Sequence, residues 1–177
     1  MTTEIIKKNS HNIVHSDELS RKTLLSWTAL IPISKATIQE AYDAAWAALI
    51  EKARRPMEYV PSISDVEIVK EYSETSFRRK IIRNGLTIIQ DVMADKNSGI
   101  VRFEHIDDPD TVAIINRLSI FENTNLLYSM KIETTKAWTV CAYKNSKLFS
   151  DQDEYFTRML KTARATLVDK LKDRGFL

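Results

Sequence analysis

Glycine is scarce in this sequence: among 177 residues only Gly85, Gly99 and Gly175 occur. A loop that cradles a phosphate needs several glycines close together, so that backbone N–H groups can approach the anion. The three glycines are far apart in the chain. The glycine-rich signatures of classical nucleotide-binding sites are therefore excluded.

Cysteine and long apolar runs are also rare. The single cysteine, Cys141, cannot form an internal disulfide, which indicates a reducing compartment. Its setting, Thr139-Val-Cys-Ala-Tyr143, predicts a small buried residue in a strand. No apolar run is long enough for a signal sequence or a membrane span. We therefore expect a cytoplasmic protein without membrane insertion.

Neither sign of charge dominates the chain. Its 26 Lys and Arg residues and 24 Asp and Glu residues are mixed, and the net charge is +2. Without a basic stripe of the kind that duplex binding needs, we expect no nucleic-acid partner.

The spacing typical of metal ligands is missing too, since His11 and His15 lie in a polar N-terminal stretch and His105 is isolated. No elbow presents a nucleophilic Ser or Cys. We predict no metal site and no cofactor.

A helix is predicted over residues 37–55. Thr37-Ile-Gln-Glu40 fits a capping box, in which the Thr hydroxyl and the Glu carboxylate satisfy backbone N–H groups reciprocally. Pro56 and Pro61 end the helix near Arg54 or Arg55, because proline cannot donate to a helical ladder. Apolar residues at three- and four-residue spacing form one stripe: Ile38, Tyr42, Ala45, Trp46, Leu49 and Ile50.

Period-two alternation predicts strands through most of the remaining chain. Asn84-Gly85 between two of them indicates a tight hairpin, because both positions tolerate positive φ. Short turns join neighbouring segments, so we expect an antiparallel sheet. The predicted strands are 24–33, 66–72, 77–83, 86–93, 100–106, 111–121, 126–133 and 138–143.

A long helix is predicted at the C-terminus, capped by Ser150, about 22 residues in length and followed by Gly175 at C′. Its apolar face comprises Phe156, Met159, Leu160, Ala163, Leu167 and Leu171. Residues 1–22 are polar and lack periodicity. We therefore expect a flexible N-terminal arm over 1–22 and one domain over 23–177.

One set of residues resembles a known family. Trp46 is followed by Lys52-Ala-Arg-Arg-Pro56 and Tyr59-Val-Pro61, and a later strand reads Val101-Arg-Phe-Glu-His-Ile106. This arrangement, over about residues 28–172, resembles the AtaL-like subfamily of the SRPBCC superfamily, the group of START, Bet v1 and polyketide-cyclase proteins. The resemblance implies an α+β helix-grip fold, in which a curved antiparallel sheet of about six to seven strands wraps around a long C-terminal helix.

The resemblance also implies a function. Superfamily members are similar in enclosing a hydrophobic cavity, and some carry lipids or hormones while others catalyse metal-free cyclisations or dehydrations. The family therefore implies a cofactor-independent cyclase or isomerase of secondary metabolism, which performs cyclisation, dehydration or pericyclic closure on a hydrophobic polyketide or terpenoid intermediate. A non-catalytic carrier of an apolar small molecule is the alternative. The sequence leaves the oligomeric state open, a homodimer being one possibility.

Four polar residues on apolar strand faces are the candidate catalytic residues. Asn116 lies among apolar residues and must form hydrogen bonds, either to a protein neighbour or to a ligand, because an unpaired buried amide costs about 1–3 kcal/mol. Arg79 shares a face with Phe77 and Ile81 and is able to clamp a carboxylate or an enolate. A solvated Arg79 is the alternative, since arginine is seldom buried and a one-residue error in alternation exchanges Arg79 with Arg78.

The other two candidates are His105 and Tyr128. A neutral imidazole in a cavity acts as acid or base near neutral pH, and the alternative for His105 is a satisfied core histidine. The Tyr128 phenol is able to donate a hydrogen bond to a carbonyl while its ring forms part of the cavity. The residues expected to contact a ligand are Trp46, Tyr72, Phe103, Ile114, Leu118, Met130, Trp138, Met159 and Ala163; the two tryptophans among them are alternatively core residues.

Overall fold

The computed structural model describes residues 22–106 and 108–177. The predicted arm of 1–22 lies, apart from Lys22, outside the described residues. Seven strands form one open antiparallel sheet in the order β1-β7-β6-β5-β4-β3-β2. They are β1 (Lys22–Pro32), β2 (Ile63–Ser73), β3 (Ser76–Arg83), β4 (Leu86–Asp95), β5 (Ile100–Ile106), β6 (Thr111–Phe121) and β7 (Asn125–Thr134).

The first helix, α1 (Ile38–Arg54), connects the two edge strands of the sheet. Its capping box is confirmed: Glu40 N donates to Thr37 Oγ1 (3.3 Å), and Thr37 N donates to Glu40 Oε2 (3.1 Å). A short 3-10 turn, Pro56–Glu58, follows the helix. The proline that ends α1 thus starts the turn that leads into β2.

The C-terminal part of the chain corrects two predictions. The predicted strand 138–143 is wrong, because this segment belongs to helix α2 (Lys136–Lys144). Thr135 favours the helix locally, since its hydroxyl accepts from Trp138 N (3.3 Å) and its carbonyl from Thr139 N (3.0 Å). Cys141 is accordingly an exposed helical residue rather than a buried strand residue.

The long terminal helix, α3 (Ser146–Asp173), starts earlier than predicted. Asn145, not Ser150, is its N-cap and accepts from Leu148 N (3.2 Å). Its 28 residues correspond to about 42 Å. Gly175 follows it with φ +76°, and Phe176 N donates to Leu171 O, as expected for a C′ glycine.

The main core lies where α1 and α3 pack against the curved sheet. The predicted apolar face of α3 is buried there, including Phe156, Leu160 and Leu167. The helix-grip architecture is therefore confirmed. Among the described helices, none combines the length and the apolar character needed to cross a membrane.

Candidate functional site

A lysine of α1 lies at the centre of a buried polar cluster. Lys52 follows Leu49 by three residues, so it continues the apolar stripe of the helix and is only 5% exposed. Its Nζ donates to Asn116 Oδ1 (2.6 Å) and to the Tyr128 hydroxyl (2.7 Å), and it lies 5.3 Å from the centroid of the Tyr128 ring. The Tyr128 hydroxyl in turn donates to Asn116 Oδ1. Burial raises the pKa of Tyr128, so this phenol keeps its proton at neutral pH.

The two acceptors come from neighbouring strands. In the β6–β7 register Asn116 is opposite Met130 and Leu118 is opposite Tyr128. Asn116 and Tyr128 therefore project from the same face of the sheet as these apolar residues, toward α1. Asn116 has the protein partners that one of its two alternatives expects. It also lines a small cavity, and its contact with a ligand stays a prediction.

Arg79 is the second buried cation, with 4% of its surface exposed. Its Nε and Nη2 donate to Gln90 Oε1 (2.9 and 2.7 Å), and its Nη1 donates to the carbonyl of Ala53 in the last turn of α1. The guanidinium also stacks over Phe103, at 4.6 Å from the ring centroid. The interpretation of Arg79 as a solvated residue is wrong, because Gln90 and a helix C-terminal carbonyl compensate its burial.

The neighbouring Arg78 has the opposite orientation. Its Nε and Nη2 bind Asp91 at 2.8 and 2.7 Å, at a partly exposed position. The alternation predicted from the sequence for β3 is thus correct in register, with Phe77, Arg79 and Ile81 facing inward.

A hydrogen-bond chain continues from Arg79 to the protein surface. Because Gln90 Oε1 accepts from Arg79, the Gln90 amide nitrogen must donate to His105 Nε2 (2.8 Å). His105 therefore carries its proton on Nδ1, which donates to Asp108 Oδ2 (2.9 Å). Burial lowers the pKa of His105 and outweighs the hydrogen bond to Asp108, so the imidazole is neutral at pH 7.

The buried cluster contains two basic side chains, Lys52 and Arg79. Within residues 22–106 and 108–177, no carboxylate forms an ion pair with Lys52 or Arg79. Burial, followed by the positive charge of Arg79, lowers the pKa of Lys52 to about 7. Burial lowers the pKa of Arg79 to about 9, which leaves it cationic at neutral pH. The inner site therefore favours an added negative charge.

Two neighbouring spaces, a small inner cavity and an open cleft, lie at or beside this cluster. The inner cavity is about 30 Å³ in volume, room for about one water molecule, and Lys52, Arg79 and Asn116 line it. The outer space is an open cleft of about 690 Å³ between the β3–β4 hairpin, the turn between β5 and β6, Trp138 of α2 and the first turns of α3. Arg83 and Ile114 line both spaces. A ligand-sized volume thus lies in the cleft, whereas the interior beneath α3 is largely filled.

The predicted ligand contacts divide into three groups. Phe103, Ile114, Met130 and Met159 line the inner cavity, and Ile114 and Trp138 line the cleft. A second group, Trp46, Leu118 and Ala163, belongs to the packed core. The third group is Tyr72 alone, 49% exposed near the end of edge strand β2, so its predicted place in the cavity is wrong. At this end of the edge strand, alternation is not enforced by burial on either face.

Two residues of the cluster were missed in the sequence. Lys52 carries a detectable signal, because it occupies a position on the apolar stripe of α1 where a charged side chain is unusual. Gln90 carries a weaker signal. It lies directly opposite Arg79 in the β3–β4 register, and this pairing follows from the sequence only when the hairpin turn is placed at Asn84-Gly85.

The comparison with protein families now identifies the chain. The profile described as "AtaL: Acetylaranotin biosynthesis cluster protein L" matches residues 26–174. The chain belongs to this family. Every residue of the Lys52–Arg79 cluster lies within the matched range, so the cluster is part of the AtaL-family portion of the protein.

Solved structures similar to this AtaL-family chain have the same fold at low identity. The Zhui aromatase/cyclase of Streptomyces sp. R1128 is 12% identical, with a TM-score of 0.58 over 88% of this chain and 96% of that one. The di-domain ARO/CYC StfQ of the steffimycin biosynthetic pathway is 7% identical, with a TM-score of 0.63 over 96% of this chain and 57% of that one. A START superfamily protein of Mycobacterium smegmatis is 12% identical, with a TM-score of 0.51 over 78% and 94%. No curated protein matches the sequence.

Proposed function

We propose that this AtaL-family protein catalyses a cofactor-free ring closure of a polyketide-type intermediate that contains a 1,3-dicarbonyl unit. One observation carries the proposal: two buried basic side chains, Lys52 and Arg79, which have no carboxylate partner among residues 22–106 and 108–177, line a small cavity that shares Arg83 and Ile114 with an open cleft. Removal of a proton between two carbonyl groups creates an enolate. A site that is cationic before the ligand arrives stabilises that charge.

Arg79 and Lys52 supply complementary chemistry. A guanidinium has five N–H groups, and the three hydrogen bonds of Arg79 leave two available for an enolate oxygen. Lys52, whose pKa is lowered to about 7, is present in both protonation states at neutral pH. The amine form accepts the α-proton, and the resulting ammonium returns a proton to the new alkoxide.

The cleft supplies the positioning. Its volume of about 690 Å³ lies within the usual range of small-molecule sites. Ile88, Ile132 and Phe156 provide apolar contacts along it, and Arg83 lines both the cleft and the inner cavity. A flexible chain held in this cleft brings its two reacting carbons together, which is worth several kcal/mol in well-oriented reactions.

The comparisons support this choice among the reactions open to the fold. The family is described by a biosynthesis cluster, and two of the similar solved structures are named as aromatase/cyclases. The buried cations favour an ionic closure through an enolate over a pericyclic one, because a pericyclic closure develops little net charge for them to stabilise.

The test is incubation of the protein with a synthetic tri-β-ketone acid, followed by liquid chromatography and mass spectrometry. The β-hydroxy ketone formed by ring closure has the mass of the starting compound and a different retention time, and elimination of its hydroxyl and an α-proton as water lowers the mass by one water. We expect Lys52→Met and Arg79→Met to reduce the initial rate by about 10²-fold each. Lys147→Met is the matched control, because Lys147 is an exposed lysine of α3 that forms an ion pair with Asp151.

Two results contradict the proposal. In one, the cyclised product forms at the same rate with either cation removed, so the cluster has no part in the reaction. In the other, the compound stays intact while the melting temperature rises, which identifies the protein as a carrier of apolar acids.

A further inference from the structure

We propose that Lys52 acts as an amine nucleophile and forms a Schiff base with a ketone carbonyl of the substrate. The proposal rests on the function proposed above and specifies its chemical route, because ring closure then proceeds through an enamine bonded to the protein instead of a free enolate.

The hydrogen bonds of Lys52 match a neutral amine. An uncharged –NH2 group has two N–H donors and one lone pair, whereas –NH3⁺ has three donors. Among the described residues Nζ has two acceptors, Asn116 Oδ1 and the Tyr128 hydroxyl. These two acceptors satisfy both N–H groups of an amine and leave its lone pair without a hydrogen-bond donor, whereas an ammonium has a third N–H for which only the inner cavity is left.

The lone pair has a space in which to react. Lys52 is one of the residues that line the inner cavity, and this cavity shares Arg83 and Ile114 with the cleft. In this proposal, a carbonyl at the end of a chain lying in the cleft reaches Nζ when the side chains of Arg83 and Ile114 turn aside, because the inner cavity by itself holds about one water molecule. Arg79 lines the same cavity, so in this proposal its guanidinium binds the oxygen of the neighbouring carbonyl while Nζ attacks the carbon of the first.

The electrostatic surroundings agree with this geometry. Desolvation and the charge of Arg79 both favour the unprotonated form of Lys52. A lysine in an apolar pocket next to a second cation is a general means of activating an amine for attack on a carbonyl.

The steps balance in atoms and charge. Nζ attacks the carbonyl carbon, and one N–H proton moves to the oxygen, which gives a neutral carbinolamine. The Tyr128 hydroxyl, 2.7 Å from Nζ, donates a proton as the carbinolamine C–O bond breaks, so that water leaves and an iminium faces a phenolate. The phenolate then removes the α-proton to give an enamine, restoring its own O–H bond. The enamine carbon attacks a second carbonyl of the chain, which gives an iminium and an alkoxide. Water adds to the iminium, the amine leaves, and the proton released goes to the alkoxide, so Lys52 is freed as the neutral amine and the product is a β-hydroxy ketone.

The test uses acetylacetone as a probe, because this 1,3-diketone forms a stable enaminone with an amine. We expect the intact protein at pH 7 to gain the mass of one diketone less one water, and tryptic peptide mapping to place the adduct on Lys52. A lysine with an ordinary pKa has on the order of 10³ less of the amine form at this pH. Lys147→Met should therefore give the same adduct as the wild type.

Two variants test the assignment. Lys52→Arg keeps the positive charge but has no primary amine, and we expect it to lose the adduct. Asn116→Asp keeps Lys52 in place but puts a carboxylate at the acceptor 2.6 Å from Nζ. This pairing holds the lysine as an ammonium, so we expect at least a 10-fold slower adduct formation in a folded protein.

The outcomes separate this proposal from the proposed function. An adduct on exposed lysines but not on Lys52 overturns the Schiff base and leaves the enolate route, in which Lys52 acts only as a base. An adduct on Lys52 in a protein that does not cyclise the tri-β-ketone acid supports the amine and overturns the ring closure.

Discussion

Gln90 Oε1 accepts hydrogen bonds from both Nε and Nη2 of Arg79, at 2.9 and 2.7 Å. The two residues face each other across strands β3 and β4, so the sheet itself fixes the plane of the guanidinium. The other end of the Gln90 amide is fixed by His105. Arg79 is thus a preoriented cation, a condition for electrostatic stabilisation without reorganisation.

Replacement of Gln90 tests this preorientation. In Gln90→Leu, two N–H groups of Arg79 lose their acceptor inside the protein, so we expect the free energy of unfolding to fall by about 1–3 kcal/mol. We also expect kcat to fall more than KM changes, because the misoriented guanidinium acts on the transition state. Urea unfolding and steady-state kinetics provide the two measurements. Lys147→Met is the control; a kcat of Gln90→Leu equal to that of the control contradicts an orienting role.

Acidification should disrupt the same chain at His105. The pKa of His105 lies below the ordinary value of 6.5, so just below pH 6.5 this histidine is protonated in the unfolded state and still neutral in the folded state. The free energy of unfolding therefore decreases as the pH falls below about 6.5. The charged groups that act on His105 are Asp108, Arg83 and Arg79.

Nitrogen NMR checks the His105 prediction directly. We expect the neutral ring to carry its proton on Nδ1, and the acid-side slope of the free energy of unfolding to diminish in His105→Gln, which has no titratable group. A ring protonated on Nε2 at neutral pH is incompatible with the donor assignment of Gln90.

Lys52 should make the free energy of unfolding depend on pH on the alkaline side. Its pKa is about 7 in the folded protein against an ordinary value of 10.5, so between these values only the unfolded state holds the proton. The free energy of unfolding then rises with pH by about 1.4 kcal/mol per unit in this window, and the destabilisation is complete below pH 7. The measurement is the difference in stability between wild type and Lys52→Met from pH 6 to 10. A difference in stability that does not change with pH argues against a lowered pKa of Lys52.

Binding of an anion should make the site take up protons. A carboxylate beside Lys52 and Arg79 favours the ammonium form, so the pKa of Lys52 rises and protons enter from the buffer at pH 8. Calorimetry with hexanoate in two buffers of different ionisation enthalpy measures this uptake. Lys52→Met should bind more weakly with no uptake, while Lys147→Met should behave like the wild type. Equal uptake in all three proteins assigns the proton to another group.

Gly99 should be far less tolerant of substitution than Gly85. Both have positive φ, +68° and +79°, but a Cβ at Gly99 falls 2.0 Å from the carbonyl oxygen of Leu118, whereas a Cβ at Gly85 meets nothing within 4 Å. We expect Gly85→Ala to cost about 1 kcal/mol from backbone strain and Gly99→Ala about 3 kcal/mol. Thermal unfolding of the two variants compares them. Similar losses of stability in the two variants would indicate that the backbone at Leu118 moves away from the added Cβ at little cost.

Local signals in the sequence account for much of the fold. The capping box at Thr37 and Glu40 sets the start of α1, and Asn84-Gly85 sets the hairpin, where both residues have positive φ. These signals act within a few residues, so the sequence displays them directly. Residues 138–143 were wrongly predicted as a strand because they include β-branched residues, which favour strands. The helix cap at Thr135 is also a local signal, and the sequence does not show which of the two signals decides the structure.

The site depends on pairings that the sequence does not display. Alternation placed Arg79 and Asn116 on inward faces, but general residue preferences favoured a solvated Arg79. What reverses that preference is the carbonyl of Ala53, 26 residues away, and the amide of Gln90. Lys52 was missed for the same reason, since its acceptors lie 64 and 76 residues further along the chain.

The rim of the cleft and its floor come from different kinds of structure. Asn84 and Leu86 of the β3–β4 hairpin and Pro109 of the next turn form the rim, whereas the cations and their acceptors are held by α1 and by strand interiors. Loop tips tolerate insertions and exchanges that strand interiors do not. Descendants of such a chain can therefore diversify in the size of molecule they admit while inheriting the same reactive groups.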